Sequence, residues 1–233
     1  MRHGACLALL WLAGCATAPD APPPLSSATT PAAAGMVDMR TLVPGIDTDM
    51  RYAGSDNFTG ARVEGYAAPR CYLLRPAAEA LANVELSLRA QGLRLRLYDC
   101  YRPVRAVRAF MAWVDNPDQS TKARHYPNLD KRDLRGGYIA PVSGHSRGAT
   151  VDLTLLRCDA VRCMPLDMGT DFDFFDTLAN TGDPRISEAQ RENRERLRAA
   201  MEAAGFRNYD KEWWHYTLSP EPGPKRLYDF PIE

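Results

Sequence analysis

Residues 143–156 read Ser143-Gly-His145-Ser-Arg-Gly-Ala-Thr-Val-Asp152-Leu-Thr-Leu-Leu156. Ala149 to Leu156 is a short, mostly apolar run, which predicts a strand with Asp152 inside it. His145 sits before that strand on a turn flanked by Gly144 and Gly148. Such a turn can fold the imidazole back so that it and Asp152 reach one ion. A second stretch, Glu212-Trp-Trp-His215, adds another imidazole and a spare carboxylate. A catalytic zinc site needs about that set: three protein ligands, an open position, and a base beside it. The chain has 4 histidines. His3 falls in the leader and two of the other three fall in these motifs. His125, in Arg-His-Tyr-Pro, has no partner motif and reads as structural or surface.

Outward from the motif, Pro76 opens a helix in which Ala77, Leu81, Val84 and Leu88 recur at helical spacing, and Gly92 stops it. Leu93, Leu95 and Leu97 alternate with Arg94 and Arg96, a half-buried strand. Pro103 starts a helix through Val114. Ser187 and Gln190 form a capping box for a helix ending near Ala204, with Gly205 as its stop. Trp213 to Leu218 reads as a final strand. The expectation is a single α+β domain with a small, mainly antiparallel sheet, flanking helices and the zinc site at the sheet edge. Glu212 and His215 stand three apart, which on a strand points them to opposite sides. Their convergence requires a bulge, a bend or a strand start.

The ends read differently. Met1-Arg2-His3 is basic, Ala5 to Leu12 is apolar, and Leu12-Ala13-Gly14-Cys15 resembles a bacterial lipobox. Residues 1–14 are expected to be a lipoprotein-type signal peptide, with Cys15 acylated. The rival is an ordinary signal cut near Ala16 or Ala18. Residues 15–36, rich in Ala, Pro, Ser and Thr, read as a flexible tether, and 37–233 as the domain. Export implies a periplasmic, membrane-anchored protein. Lys plus Arg and Asp plus Glu are equal at 29 each, and no basic tract suggests nucleic acid. Cys71, Cys100, Cys158 and Cys163 allow three disulfide connectivities. The short loop between Cys158 and Cys163 suits a local clasp, leaving Cys71 with Cys100.

The motifs together resemble the D-alanyl-D-alanine dipeptidases, zinc enzymes known from vancomycin resistance. The resemblance extends to Arg51-Tyr52-Ala53, Asp56-Asn-Phe-Thr-Gly60 and Gly65-Tyr66. It continues in Asp99-Cys-Tyr-Arg102-Pro103, Met168-Gly-Thr-Asp-Phe-Asp173-Phe174 and Tyr228-Asp-Phe-Pro231. It implies one Zn²⁺ per chain on His145, Asp152 and His215, and Glu212 as general base and acid. Arg102 would stabilise the oxyanion and Asp173 would bind the substrate ammonium. Ser143, Tyr52 and Tyr66 would help fix a small dipeptide. Asp167, Asp171 and Asp176 compete with Asp173 for the ammonium, Tyr52 and Tyr66 could equally be core, and Trp213 and Trp214 read as packing residues. Rival functions are a D,D-carboxypeptidase or endopeptidase on peptidoglycan stems, and a non-catalytic wall-binding lipoprotein. The leader and cysteines depart from a cytoplasmic resistance enzyme and suit turnover of wall-derived peptide.

Overall fold

A computed structural model describes Met1 and residues 21–233. The expected signal peptide beyond Met1, and Cys15, lie outside the described residues. The chain runs β1 (Met36–Asp38), α1 (Met39–Leu42), β2 (Asp47–Thr48), β3 (Tyr72–Leu74), α2 (Arg75–Arg89), β4 (Leu93–Asp99) and α3 (Val104–Asp115). It continues α4 (Lys122–His125), β5 (Thr150–Cys158), β6 (Cys163–Pro165), α5 (Glu188–Ala203), β7 (Phe206–Tyr209) and β8 (Glu212–Leu218). The main sheet has the order β2-β4-β5-β8-β7, with β6 added to β5. All its pairings are antiparallel except β2 with β4. Among the described residues no helix is long and apolar enough to cross a membrane.

Local chemistry sets these elements as the sequence leads one to expect. Pro76 occupies the first turn of α2, where its missing N–H costs nothing. Ser187 and Gln190 exchange both bonds of a capping box at the start of α5. Both helices pack against the sheet and each other. Leu81, Leu88, Leu197 and Met201 meet the buried Leu95, Val151, Leu153 and Leu155 there. Because side chains alternate along a strand, Asp152 points away from Val151 and Leu153, toward the other face. Cys71 is bonded to Cys100 and Cys158 to Cys163.

Two expectations change. Asp152 and His215 are register partners on β5 and β8, two inner strands, so the metal group is not on an edge strand. The end of the presumed tether is also docked. Ser26 donates to the carbonyl of Leu227, and the Leu227 N–H donates to Pro24, at 2.7 and 3.0 Å. Ala28 and Ala34 pack on the core. The free backbone edge at Leu227 needs partners, and the Pro-rich strand supplies them. Of the stretch 15–36, the part from Pro24 onward therefore belongs to the folded body.

Candidate metal centre

Three neighbouring strands bring the acidic and basic groups to one face. Asp99 on β4 stands opposite Asp152 on β5, which stands opposite His215 on β8. Leu97 pairs with Leu153, so regular pairing would bring Tyr98, not Asp99, to Asp152. A register shift between Leu97 and Asp99 replaces it. The bulge thus turns a carboxylate toward the site.

His145 lies on the single turn Gly144–Arg147, capped by Ser143, whose Oγ accepts from the His145 N–H. Gly148 ends the turn at φ +80°, and a Cβ there would meet Met36 Cε at 2.5 Å. His145 Nδ1 is 2.7 Å from the Cys100 carbonyl. A carbonyl only accepts, so Nδ1 carries the proton and Nε2 presents its lone pair. His145 Nε2, Asp152 Oδ2 and His215 Nδ1 then converge. The separations are 3.3 Å from His145 to His215, 3.3 Å from His145 to Asp152, and 3.0 Å from His215 to Asp152 Oδ1. Tetrahedral ligands on bonds of about 2.0–2.1 Å lie roughly 3.3–3.4 Å apart. Asp152 Oδ1 is buried without a hydrogen bond, although His215 Nδ1 lies 3.0 Å from it. A buried carboxylate oxygen with no donor is costly and is satisfied by a cation. The donor set, two imidazole nitrogens and a carboxylate, fits zinc with a position left open.

Burial pushes the Asp152 carboxyl up, but both histidines pull it further down, well below the ordinary range. Burial lowers His145, with Asp152 opposing. His215 is raised: burial opposes, and Asp152 and Glu212 outweigh it.

Glu212 reaches the same group, with Oε2 3.5 Å from His215 Nδ1. Three apart on a strand, the two should diverge. They converge because Tyr209 pairs with Glu212 while Asn208 pairs with Tyr216. The residues between are bulged out of the β7–β8 ladder, while His215 keeps its place opposite Asp152 on β5. Asn208 Nδ2 pins the bulge, donating to the carbonyls of Glu212 and His215 at 3.0 Å each. Burial raises the Glu212 carboxyl to about 7, His215 opposing and Asp152 adding.

Arg102 stands beside this group. Its Nε donates to Asp99 at 2.9 Å and its Nη2 is 3.5 Å from Asp152. The guanidinium lies 5.3 Å from the Tyr52 ring centroid and 5.0 Å from that of Phe110. Asp99, fully buried, also accepts from Tyr66 Oη at 2.6 Å.

A cavity of about 280 Å³ joins these residues, near the low end of small-molecule sites at about 300–1,000 Å³. His145, Asp152, His215, Glu212, Arg102, Ser143, Tyr52 and Asp173 all line it. Tyr66 does not, so its expected contact with substrate is corrected to a supporting one: it braces Asp99, which orients Arg102. Tyr52 lines the wall and donates to Asp173 Oδ2 at 2.8 Å. Asp167 and Asp171 stay outside the lining, as does Asp176, which caps a turn by accepting from Leu178. Trp213 and Trp214 are buried as packing residues, and Trp214 also touches the cavity. At the rim, Tyr209 Oη donates to the Gly137 carbonyl at 3.2 Å, tying the β7–β8 turn to the Gly136-Gly137 strap. Sequence reading gave no role to Asp99, Asn208 or Tyr209. Only Asp99 had a signal, three residues before Arg102 in one motif.

The family model for D-Ala-D-Ala dipeptidases, Peptidase_M15, matches residues 32–233. A D-alanyl-D-alanine dipeptidase of Enterococcus faecium is 42% identical over 201 residues, 85% of this chain and 98% of its own length. One of Streptomyces coelicolor is 44% identical over 193 residues, 82% of this chain and 95% of its own. One of Enterococcus faecalis is 39% identical over 200 residues, 85% and 98% respectively.

Proposed function

The chain belongs to the Peptidase_M15 D-Ala-D-Ala dipeptidase family, and from that premise we propose that it hydrolyses the D-alanyl-D-alanine dipeptide to free D-alanine with one zinc ion per chain. The carrying observation is the trio His145, Asp152 and His215 with its donorless Asp152 oxygen, in the same cavity as the buried carboxyl of Asp173. In this reading His145, Asp152 and His215 hold the ion, which when bound supplies Lewis acidity to a water and to the scissile carbonyl.

The chain's own residues do the rest. Glu212 takes a proton from the attacking water, whose oxygen bonds to the carbonyl carbon. As the C–N bond breaks, Glu212 returns that proton to the leaving nitrogen. A base buried to about 7 is near the pH at which such transfer is efficient. Arg102, held by Asp99, offsets charge developing on the carbonyl oxygen. Removing a donor of that kind costs about 10²–10³ in rate. Asp173 pairs with the free ammonium, with Tyr52 bracing it and Ser143 on the wall. The buried Asp173 carboxyl favours a free dipeptide over a stem peptide, whose equivalent nitrogen is acylated.

The domain is further proposed to be exported and anchored through lipid on Cys15, in the periplasm. The basic start, apolar run, Leu-Ala-Gly-Cys and two disulfides support this. Wall-peptide turnover then suits it better than depletion of a cytoplasmic pool.

The test is amino-acid release from D-Ala-D-Ala, L-Ala-L-Ala and N-acetyl-D-Ala-D-Ala, with zinc and with a chelator. Chelator-sensitive cleavage of the unblocked D,D-dipeptide alone is expected. Cleavage of the acetylated compound supports the carboxypeptidase instead. Zinc binding without turnover of any substrate supports a binding protein.

A further inference from the structure

His125 is on α4, outside both metal motifs, yet it is 3% exposed. Its Nδ1 is 2.9 Å from the backbone oxygen of Asp173. That oxygen can only accept, so the proton is on Nδ1. Burial lowers the basicity of the ring, in keeping with a neutral imidazole. A second tie runs the other way, the Phe175 N–H donating to the His125 carbonyl at 2.7 Å. The two bonds bracket Phe174 and fix the chain on both sides of it.

Asp173 needs that restraint. Its φ is +57°, and among the described residues it is the only non-glycine with positive φ. A side chain makes that region unfavourable, and it persists where surrounding contacts over-determine it. The direction of the Cα–Cβ bond follows from it. Relaxed to an ordinary backbone, Asp173 would swing its carboxyl away from Tyr52 Oη, now at 2.8 Å. One partner therefore holds the main chain of Asp173 and another holds its carboxyl.

We propose that His125 is a positioning residue for recognition of the substrate's free ammonium, holding Asp173 in the left-handed conformation that presents its carboxyl to the cavity. The proposal rests on Asp173 being the ammonium partner.

Steady-state kinetics of the zinc-loaded enzyme on D-Ala-D-Ala tests it, comparing His125→Phe, His125→Asn, His125→Gln and Asp173→Asn. His125→Phe keeps a ring and loses the N–H. Its KM is expected to rise about tenfold with kcat within about threefold, because one neutral hydrogen bond is worth about that factor and acts here on binding. His125→Asn carries an amide N–H at the reach of Nδ1 and is expected to restore KM. His125→Gln is one methylene longer and is not. A ring that only filled space would not give that order. Asn no better than Gln, a wild-type KM in folded Phe and Gln variants, or a fall in kcat at constant KM would each overturn the proposal. If the Phe variant does not fold, the Asn and Gln pair decides, with melting curves showing both folded. Asp173→Asn separates the two levels. It is expected to raise KM about a hundredfold, the scale of a lost charge-assisted bond. If it does so while the His125 variants do not, only the positioning role fails. If it leaves KM unchanged, the ammonium reading fails and the proposal with it.

Discussion

Replacing Asp173 by Asn is expected to raise the melting temperature of the metal-free protein while raising KM for the dipeptide about a hundredfold. The residue is 4% exposed, and its carboxyl has one donor, Tyr52 Oη at 2.8 Å. The cavity's guanidinium, Arg102, is committed to Asp99 and Asp152 at 2.9 and 3.5 Å. Burial first, then the charge of Asp152, push the Asp173 carboxyl well above the usual carboxylate range, with Tyr52 and Arg102 opposing in part. A carboxyl raised in the folded state binds more protons there than in the unfolded chain. Its contribution to stability therefore falls as pH rises from the unfolded value of about 3.9 through the raised folded one. Asn has the same shape, no charge, and an Oδ1 that still accepts from Tyr52. An uncompensated buried polar group costs about 1–3 kcal/mol, and a charged one more. For a domain of this size each kcal/mol moves the melting temperature by about 2–4 °C. The expected gain is therefore about 2–12 °C at pH 8, vanishing near pH 4. Circular dichroism melts of the metal-free parent and variant across that range measure it. A variant that melts at or below the parent at pH 8, or an advantage that grows toward low pH, would refute the reasoning. The charge that weakens the fold is the one proposed to recognise substrate, a trade found where active sites are destabilised.

The two disulfides should differ in kind. Cys71 and Cys100 are 29 residues apart and Cys158 and Cys163 are 5 apart; loop entropy gives about 3.6 and about 2 kcal/mol. Only loss of the first should also weaken zinc affinity, because the Cys100 carbonyl orients His145; urea unfolding and competition with a chromophoric chelator read both, and equal zinc affinities would contradict this. Asn208→Ala removes both bonds that pin the bulge, and is expected to cost about 2 kcal/mol in stability and at least about tenfold in kcat/KM by letting Glu212 drift. A wild-type kcat/KM would show that the bulge holds without it. Zinc binding to the metal-free protein at pH 6.5 should release protons and tighten as pH rises, because Glu212, raised to about 7, and the raised His215 hold protons that a dication displaces. Calorimetry in buffers of different ionisation enthalpy counts them, and a heat independent of buffer would contradict it.

The strands and helices were legible because their signals are local. The Leu93–Leu97 alternation, Pro76, and the Ser187–Gln190 box each fix one element with their own chemistry, and the structure has β4, α2 and α5 there. The candidate ligand trio stood out because histidines are few. The register shifts did not, since nothing near Tyr98 or Asn208 marks a bulge. A bulge is decided between strands, by pairing with β5 or β7, and one strand's residues do not carry that information. The convergence of Glu212 and His215 stayed open in the sequence for this reason, and Asp99 and Asn208 went without a role. Tyr66 misled because its motif is near the cavity while its hydroxyl turns to Asp99. The docked Pro24–Gly35 stretch misled because low complexity signals weak intrinsic order, and here the order comes from Leu227.

Charge gives the proposed ion and the proposed ammonium a common reason in this cavity. Asp99, Asp152, Asp173 and Glu212 are all buried, and Arg102 is the guanidinium among them. With both imidazoles neutral, full ionisation leaves three negative charges uncompensated, which burial strongly disfavours. The metal-free protein avoids this by holding protons: Asp99, Asp173 and Glu212 are all raised, burial being the first cause in each. Asp152 alone stays low, between the two histidines. A dication at the trio offsets two of the three charges. The remaining one belongs at Asp173, which the trio does not include and Arg102 does not pair. An ammonium offsets it where it stands, whereas an acylated nitrogen brings no charge and leaves the carboxyl buried alone. The proposed preference for a free dipeptide thus follows from the electrostatics of the wall as well as from the size of the cavity.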